Sequence, residues 1–384
     1  MHLGILTGGG DVPGLNAAIK AVTEEAAARG WSVTGLRRGW AGPLNIDPDN
    51  PETAKDWTLA LTPEEVRDVD RIGGTFLHTS RTKPSGTAVK ELPAHLRARH
   101  AGEPEDKKVD CTDHVLRVLE HLKIDVLVAI GGDDTLSYAA RLHAEGAPTM
   151  CIPKTMDNDV FGTDYCIGFS TCVNRGVELI TRLRTPANSH ERIMVVEMFG
   201  RNSGESALIT GYLAGVDRIL IAEVPFDGDK LARMVAEDRA RNPEHYGVVV
   251  VSEGAHFEGG GIVESGPADA YGHRKLGGIG QDVGDVIKRQ GINVMNQNLA
   301  YLLRAGMPDA MDLMVGRNFG TMTVQLLEEG KRGLMVGIED GRYITQPADI
   351  STKGKRVVDV DMFYDPDQYR ARIKRVEGLP MFLK

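Results

Sequence analysis

Short apolar runs recur along the chain, and most of them empty into glycine or acidic residues. They are Leu3-Gly4-Ile5-Leu6-Thr7, Ser32 to Leu36, Val126-Leu127-Val128-Ala129-Ile130, Thr149-Met150-Cys151-Ile152, Arg192 to Arg201, Ile219-Leu220-Ile221-Ala222 and Val248-Val249-Val250-Val251. Near-continuous runs of this length are those of strands buried on both faces of a parallel sheet. Between them lie helical segments: Asn16 to Arg29, which opens on an asparagine able to cap, Asp113 to Leu122, one beginning near Leu136, one from Gly204 through Leu213, Asp282 to Gln290, and a long one from about Asp309 to Glu329. Alternation of this kind predicts an α/β protein with doubly wound, mainly parallel sheets and ligand sites at the C-terminal ends of the strands.

Four stretches interrupt the alternation. Gly39 to Pro63, rich in Pro, Gly and Asp, reads as a surface excursion. Residues 83–110, including Glu103-Pro104-Glu105-Asp106-Lys107-Lys108, have no apolar period and read as an exposed insertion. Gly259 to Gly280 reads as a glycine-rich loop, and the chain beyond Ser351 as a charged tail with helical stretches and no assigned function.

With 384 residues the chain suits two domains, and 41% hydrophobic against 26% charged residues is globular rather than disordered composition. The formal charge of −9 argues against a general nucleic-acid binder while leaving small anions open as substrates. Cys111, Cys151, Cys166 and Cys172 lack the close-pair spacing of zinc or redox motifs and read as buried thiols in a reducing compartment. The N-terminus shows no basic leader, and no apolar stretch approaches the roughly 18 residues of a membrane span, so a soluble cytoplasmic protein is expected.

The candidate chemistry sits in loops that follow strands. Pro153-Lys154-Thr155-Met156-Asp157-Asn158-Asp159 places two carboxylates one residue apart beside a lysine and a threonine, a set able to deprotonate an alcohol and hold a phosphoryl group above it. Gly8-Gly9-Gly10-Asp11-Val12-Pro13-Gly14 runs from a strand to a helix N-terminus, where free N–H groups and the helix dipole favour phosphate. It is not a dinucleotide fingerprint, because Pro13 stands where the third glycine belongs. Arg71 to Arg81 is a second glycine loop, and Arg81 suits a phosphate fork. Gly131-Gly132-Asp133-Asp134-Thr135 brings two acids to a strand end, where one carboxylate can hold Mg²⁺.

These loops, in this order, resemble the phosphofructokinase family over roughly residues 1–340, and within it the pyrophosphate-dependent branch. Thr7 through Asn16, Gly73 through Arg81, Gly131 through Thr135, Pro153 through Asp159, Thr163 through Arg184, Arg192 through Gly204 and Ser252-Glu253-Gly254 carry the likeness. ATP-using members have glycine where Asp134 and Lys154 stand here. The resemblance implies two doubly wound domains, residues 1–168 plus 303–350 binding diphosphate and Mg²⁺ and residues 169–302 binding the sugar phosphate, with the active site in the cleft between them and 351–384 as a C-terminal tail.

It further implies Asp157 as the base for the sugar's 1-hydroxyl and Asp159, Lys154 and Arg81 as its catalytic companions. Gly9, Gly10, Arg81, Asp134 and Thr135 would bind diphosphate, and Asp133 would bind Mg²⁺. Thr155, Met156, Phe199, Gly200, Arg201, Glu253, Tyr301 and Arg304 would bind substrate, and Arg192 would cross to a neighbouring subunit's sugar phosphate, which makes a homo-oligomer the expected partner state. The implied reaction moves a phosphoryl group reversibly between pyrophosphate and fructose 6-phosphate. Met295 stands where a clamp arginine is usual, and Phe199 where methionine is common. A pyrophosphate-dependent kinase of sedoheptulose 7-phosphate and an ATP-dependent sugar-phosphate kinase therefore remain as alternatives.

Overall fold

In a computed structural model that describes residues 1–265, 270–272 and 274–379, the apolar runs become two sheets. The strands of the first are β1 (His2–Thr7), β2 (Ser32–Leu36), β3 (Thr58–Leu61), β4 (Val126–Gly131), β5 (Thr149–Pro153) and, from further along the chain, Leu334–Glu339 and Arg342–Pro347. Those of the second are β6 (Ile193–Met198), β7 (Arg218–Leu220), β8 (Gly247–Ser252) and β9 (Val294–Asn298). With Leu334–Glu339 as β10 and Arg342–Pro347 as β11, the first sheet has the order β11-β10-β5-β4-β1-β2-β3 and the second β9-β6-β8-β7.

The second sheet is wholly parallel, and the first is parallel except at its edges, where β3 and β11 run antiparallel to their neighbours. Every residue of β4, β5, β6 and β8 is buried, as strands covered by helices on both faces must be. Register decides where the loops emerge. Thr7 pairs with Ile130 and Gly131 with Pro153, so β1, β4 and β5 end level, and Ser252 pairs with Met198, so β6 and β8 do too.

The helices of ten residues or more are α1 (Leu15–Ala28), α2 (Thr112–His121), α3 (Asp133–Ala144), α4 (Phe169–Ser189), α5 (Glu205–Ala214), α6 (Gly228–Arg241), α7 (Ile279–Lys288) and α8 (Ala310–Glu328). Helix α8 lies against α1 because Gly316 and Gly320 present no side chain there. A Cβ at either would sit 2.7 Å from a backbone oxygen, of Gly14 or of Ala18. Helix α4 packs on both α5 and α8, and one apolar cluster runs unbroken from Leu3 and Val128 of the first sheet to Met194 and Val248 of the second. The sheets therefore share a core.

Several expectations are corrected. Residues 39–63 are not merely a surface excursion, since Trp40, Leu44 and Ile46 are buried, Trp40 edge-on to Tyr138, and β3 closes a sheet edge. Residues 83–110 likewise bury Val89, Leu92, Leu96 and Val109 in a second core cluster. Both segments lack a readable period because helices of only three to five residues, such as Ala41–Asn45 and Ala94–Arg97, and strands of two to four residues deliver their apolar residues inward. Helix α3 begins at Asp133 rather than near Leu136.

The tail corrects its expectation most. Among its described residues it holds a four-residue helix, Val360–Phe363, and paired two-residue strands, Tyr364–Asp365 and Arg370–Ala371. Val358, Phe363 and Tyr364 pack on Leu208, Ile219 and Ile221, and the Tyr364 hydroxyl donates to the Ile219 carbonyl at 2.6 Å. At about 1.5–3 kcal/mol for each large apolar side chain fully buried, these anchors fix the tail to the second sheet.

Candidate active site

The level strand ends open onto one cleft of about 220 Å³, lined by residues from both sheets and by the tail. Its centre is the loop after β5. Asn158 adopts a left-handed conformation, φ 56°, which asparagine tolerates, and its buried amide is fixed from both ends. Its Nδ2 donates to the Asp164 carbonyl at 2.9 Å, and its Oδ1 accepts the Cys166 N–H at 2.7 Å. That inward Asn158 sends its neighbours, Asp157 and Asp159, into the cleft together. The Arg201 N–H donates to Asp157 at 3.2 Å, and the Asn202 amide to Asp159 at 3.2 Å. Thr155 accepts the Asp157 N–H at 3.2 Å and retains its own O–H for a ligand.

The glycine loop after β1 faces this centre. Lys154, nearly buried, reaches across to donate to the Gly10 carbonyl at 2.7 Å. A Cβ on Gly10 would lie 2.9 Å from the Arg304 guanidinium and would push that side chain aside. That guanidinium sits 3.5 Å from Asp11 and stacks on Tyr301 and beside Phe199.

Asn16 does not cap α1 as expected. Gly14 occupies the N-cap position, and Asn16 instead accepts the Phe76 N–H and donates to the Ile72 carbonyl, tying the second glycine loop to the first. The N–H groups of Gly8 and Gly9 are also not free, because Ile130 and Ser80 accept them. The first turn of α3, residues 132–135, forms part of the cleft wall, with Asp133 and Asp134 facing it and Thr135 packed against Gly8 and Gly131.

Of the residues singled out from sequence, Gly9, Gly10, Arg81, Asp133, Asp134, Thr135, Lys154, Thr155, Met156, Asp157, Asp159, Phe199, Arg201, Glu253 and Arg304 line the cleft. Gly200 does not line it. Its φ of 136° makes the turn that lets Phe199 and Arg201 enter, and a Cβ would lie 2.3 Å from the Ser252 hydroxyl. Tyr301 is 68% exposed, outside the wall. Arg192 precedes β6 and so stands at the opposite end of the second sheet, roughly 20 Å of strand from the cleft in its own chain. Sequence reasoning assigned no individual role to six further wall residues, Asp11, Val12, Gly132, Asn202, Tyr271 and Lys355. Asp11 and Asn202 adjoin residues that were singled out, but Lys355 had only the basic run Lys353-Gly354-Lys355-Arg356 to mark it.

Crowding of acids governs protonation. Burial, then Asp159 and Glu253, pushes the Asp157 carboxyl well above the usual range. Burial chiefly raises Glu253 to about 7 and, with Asp159, raises Asp133 to about 6. Burial and then Arg304 lower Lys154 to about 8. A raised carboxyl is neutral until pH climbs past its value, and a lowered ammonium is lost at milder alkalinity. The kcat/KM profile of the free enzyme is therefore expected to rise between about pH 6 and 7 and to fall above about pH 8. Initial rates measured across this range test it, and a flat profile would contradict the site's electrostatics.

No group of three or more metal-type side chains converges among the described residues. Mg²⁺, however, is commonly held by one or two carboxylates together with substrate phosphates. Asp133 fits that use: its Oδ1 is buried and has no hydrogen-bond partner.

A base-capable carboxylate facing a glycine turn and several cations, at the C-terminal ends of parallel strands, defines a phosphotransferase of the α/β class. The chain belongs to the phosphofructokinase family, whose model, described as Phosphofructokinase, matches residues 2–327. It is 37% identical over 369 residues to a pyrophosphate--fructose 6-phosphate 1-phosphotransferase of Dictyoglomus thermophilum, covering 95% of this chain and 97% of that one. An ATP-dependent 6-phosphofructokinase of Streptococcus pyogenes is 36% identical, over 90% of this chain and 88% of its own. The first match necessarily reaches past residue 351, so the likeness extends into the tail, further than the sequence motifs indicated.

Among solved structures, a pyrophosphate-dependent phosphofructokinase from Nitrosospira multiformis superposes with a TM-score of 0.75 at 18% identity, covering 100% of this chain and 95% of that one. Phosphofructokinase from Saccharomyces cerevisiae gives 0.72 at 24%, covering 92% of this chain, which spans 45% of the yeast one. These two support the fold alone.

Proposed function

We propose that this enzyme moves a phosphoryl group between pyrophosphate and the 1-hydroxyl of fructose 6-phosphate, reversibly and with Mg²⁺. The observation that carries the donor assignment is the joint presence of Asp134 and Lys154 in the wall that faces the glycine loop. A carboxylate at Asp134 adds bulk and like charge where a nucleotide's α-phosphate would lie. The Lys154 ammonium, held over Gly10, supplies a cation to a compact diphosphate and to the departing phosphate. Relatives named for pyrophosphate and for ATP match this chain at nearly equal identity, so overall similarity does not choose the donor, and the reading rests on these two side chains.

In this reading Asp157 takes the hydroxyl proton, Asp159 holds the local field, and Thr155 donates to phosphate or sugar. Arg81 meets the transferring group, while Phe199, Arg201, Glu253 and Arg304 hold the sugar phosphate. Asp133 would hold Mg²⁺, which neutralises charge on the phosphates when bound. Residues 1–168 with 303–350 then serve the diphosphate, and 169–302 the sugar. Arg192, which lies far from its own cleft, serves that of a neighbouring subunit in a homo-oligomer in this reading, as the family resemblance implies. The four free, buried thiols suit a cytoplasmic enzyme.

The test is a matrix of donors and sugars on the purified protein with Mg²⁺. Turnover is expected with pyrophosphate and fructose 6-phosphate, together with phosphate-dependent loss of fructose 1,6-bisphosphate. Appreciable turnover with ATP alone would overturn the donor. Preference for sedoheptulose 7-phosphate would transfer the assignment to the longer sugar, whose fit is favoured by the incomplete clamp: Met295 and Tyr301 both lie outside the wall.

A further inference from the structure

The tail delivers a cation to the carboxylates at the heart of the cleft, and nothing in the family motifs accounts for it. Its backbone is pinned at Lys355 and just after it. Lys355 bridges antiparallel to Val160, the Arg356 N–H donates to the Asp159 carbonyl at 3.0 Å, and the Val358 N–H donates to Glu223 at 2.9 Å. The Arg356 guanidinium, nearly buried, pairs with Glu205 and donates to the Asn158 carbonyl at 3.1 Å. So anchored, the strap does not depend on the Lys355 side chain, which is 43% exposed and points into the cleft.

There its ammonium pairs with Asp133 Oδ2 and lies 3.9 Å from Asp159 Oδ2. The remaining Asp133 oxygen is buried without a hydrogen-bond partner. A divalent ion on that unpartnered Asp133 oxygen would sit directly beside the Lys355 ammonium on the same carboxylate, and two cations so close repel strongly.

We propose that Lys355 is the resident counter-ion of the Asp133 and Asp159 pair, and that a divalent cation enters the site only by displacing it. The strap thereby sets metal affinity from outside the catalytic loops. Displaced, the ammonium remains in the same cleft as the phosphate-binding groups. The inference rests on the reading of Asp133 as the metal carboxylate, but not on the identity of the donor.

The experiment titrates Mn²⁺ into the full-length protein without sugar or donor, followed by water-proton relaxation. Lys355→Met is expected to bind Mn²⁺ roughly tenfold more tightly than the parent, because a competing charge is gone. Lys355→Gln should do the same, and Lys355→Arg, which keeps the charge, should resemble the parent. Thermal melting confirms that each variant is folded. Unchanged or weaker Mn²⁺ binding in both neutral variants, while Asp133→Asn abolishes binding, overturns the role of Lys355 and leaves the metal carboxylate standing. Undiminished binding in Asp133→Asn overturns both.

Discussion

Asp157→Asn is expected to lower kcat by roughly 10²–10⁴-fold while the KM of each substrate changes little, the signature of a lost general base. The substitution is nearly isosteric, and the contact from the Arg201 N–H, 3.2 Å in the parent, can still be accepted by the amide oxygen. Loss of the proton acceptor is then the main change. The burial and neighbouring acids that raise the Asp157 carboxyl also make it a stronger base once ionised, so its removal should matter more than that of a solvated aspartate. Asn at 157 also removes one member of a repelling acidic group and should leave the fold intact. Steady-state kinetics in both directions check the prediction, and a variant as active as the parent would remove Asp157 from the mechanism.

The double change Asp134→Gly with Lys154→Gly is expected to reduce kcat/KM for pyrophosphate by about 10²–10³-fold, the range seen when a charge-stabilising donor is removed from an active site. Lys154 should account for most of that loss, because its ammonium is nearly buried and its bond to the Gly10 carbonyl aims it at the glycine turn. Asp134 should act mainly on discrimination. Without its carboxylate, the ratio of ATP to pyrophosphate use should climb by at least about tenfold, since a clash and a like charge are both gone. Assaying each donor separately with Mg²⁺ and fructose 6-phosphate gives the ratio. An unchanged donor preference would count against the roles of both residues.

Lys154 and Lys355 illustrate how legible the site was. Lys154 announces itself because it stands within a loop that also carries Asp157 and Asp159, directly after a strand, and local order puts all three at one strand end. Lys355 stands 222 residues from Asp133 in a segment without apolar period, and contacts with distant segments bring it there: the backbone bonds of Arg356 and Val358 and the packing of Phe363 and Tyr364 on the second sheet. Asn16 shows the converse. Its position suggested a helix cap, and capping is the commoner fate of such a residue, yet the fold spends both ends of its amide on a loop some sixty residues away.

The sequence alone determined the alternation of strand and helix, and with it the α/β class. It also determined most of the cleft wall, since strand C-termini and the loops that follow them are local features, written in consecutive residues. Tertiary structure decided what depends on contacts between distant segments: that residues 39–63, 83–110 and the tail contribute to the core, that Gly200 shapes a turn rather than a wall, and that Arg192 stands away from its own cleft. It also decided that a lysine of the C-terminal strap neutralises the central carboxylates. The physical reason is that periodicity reports which face of an element is buried, whereas irregular segments are placed by a few anchoring side chains whose partners no local pattern reveals.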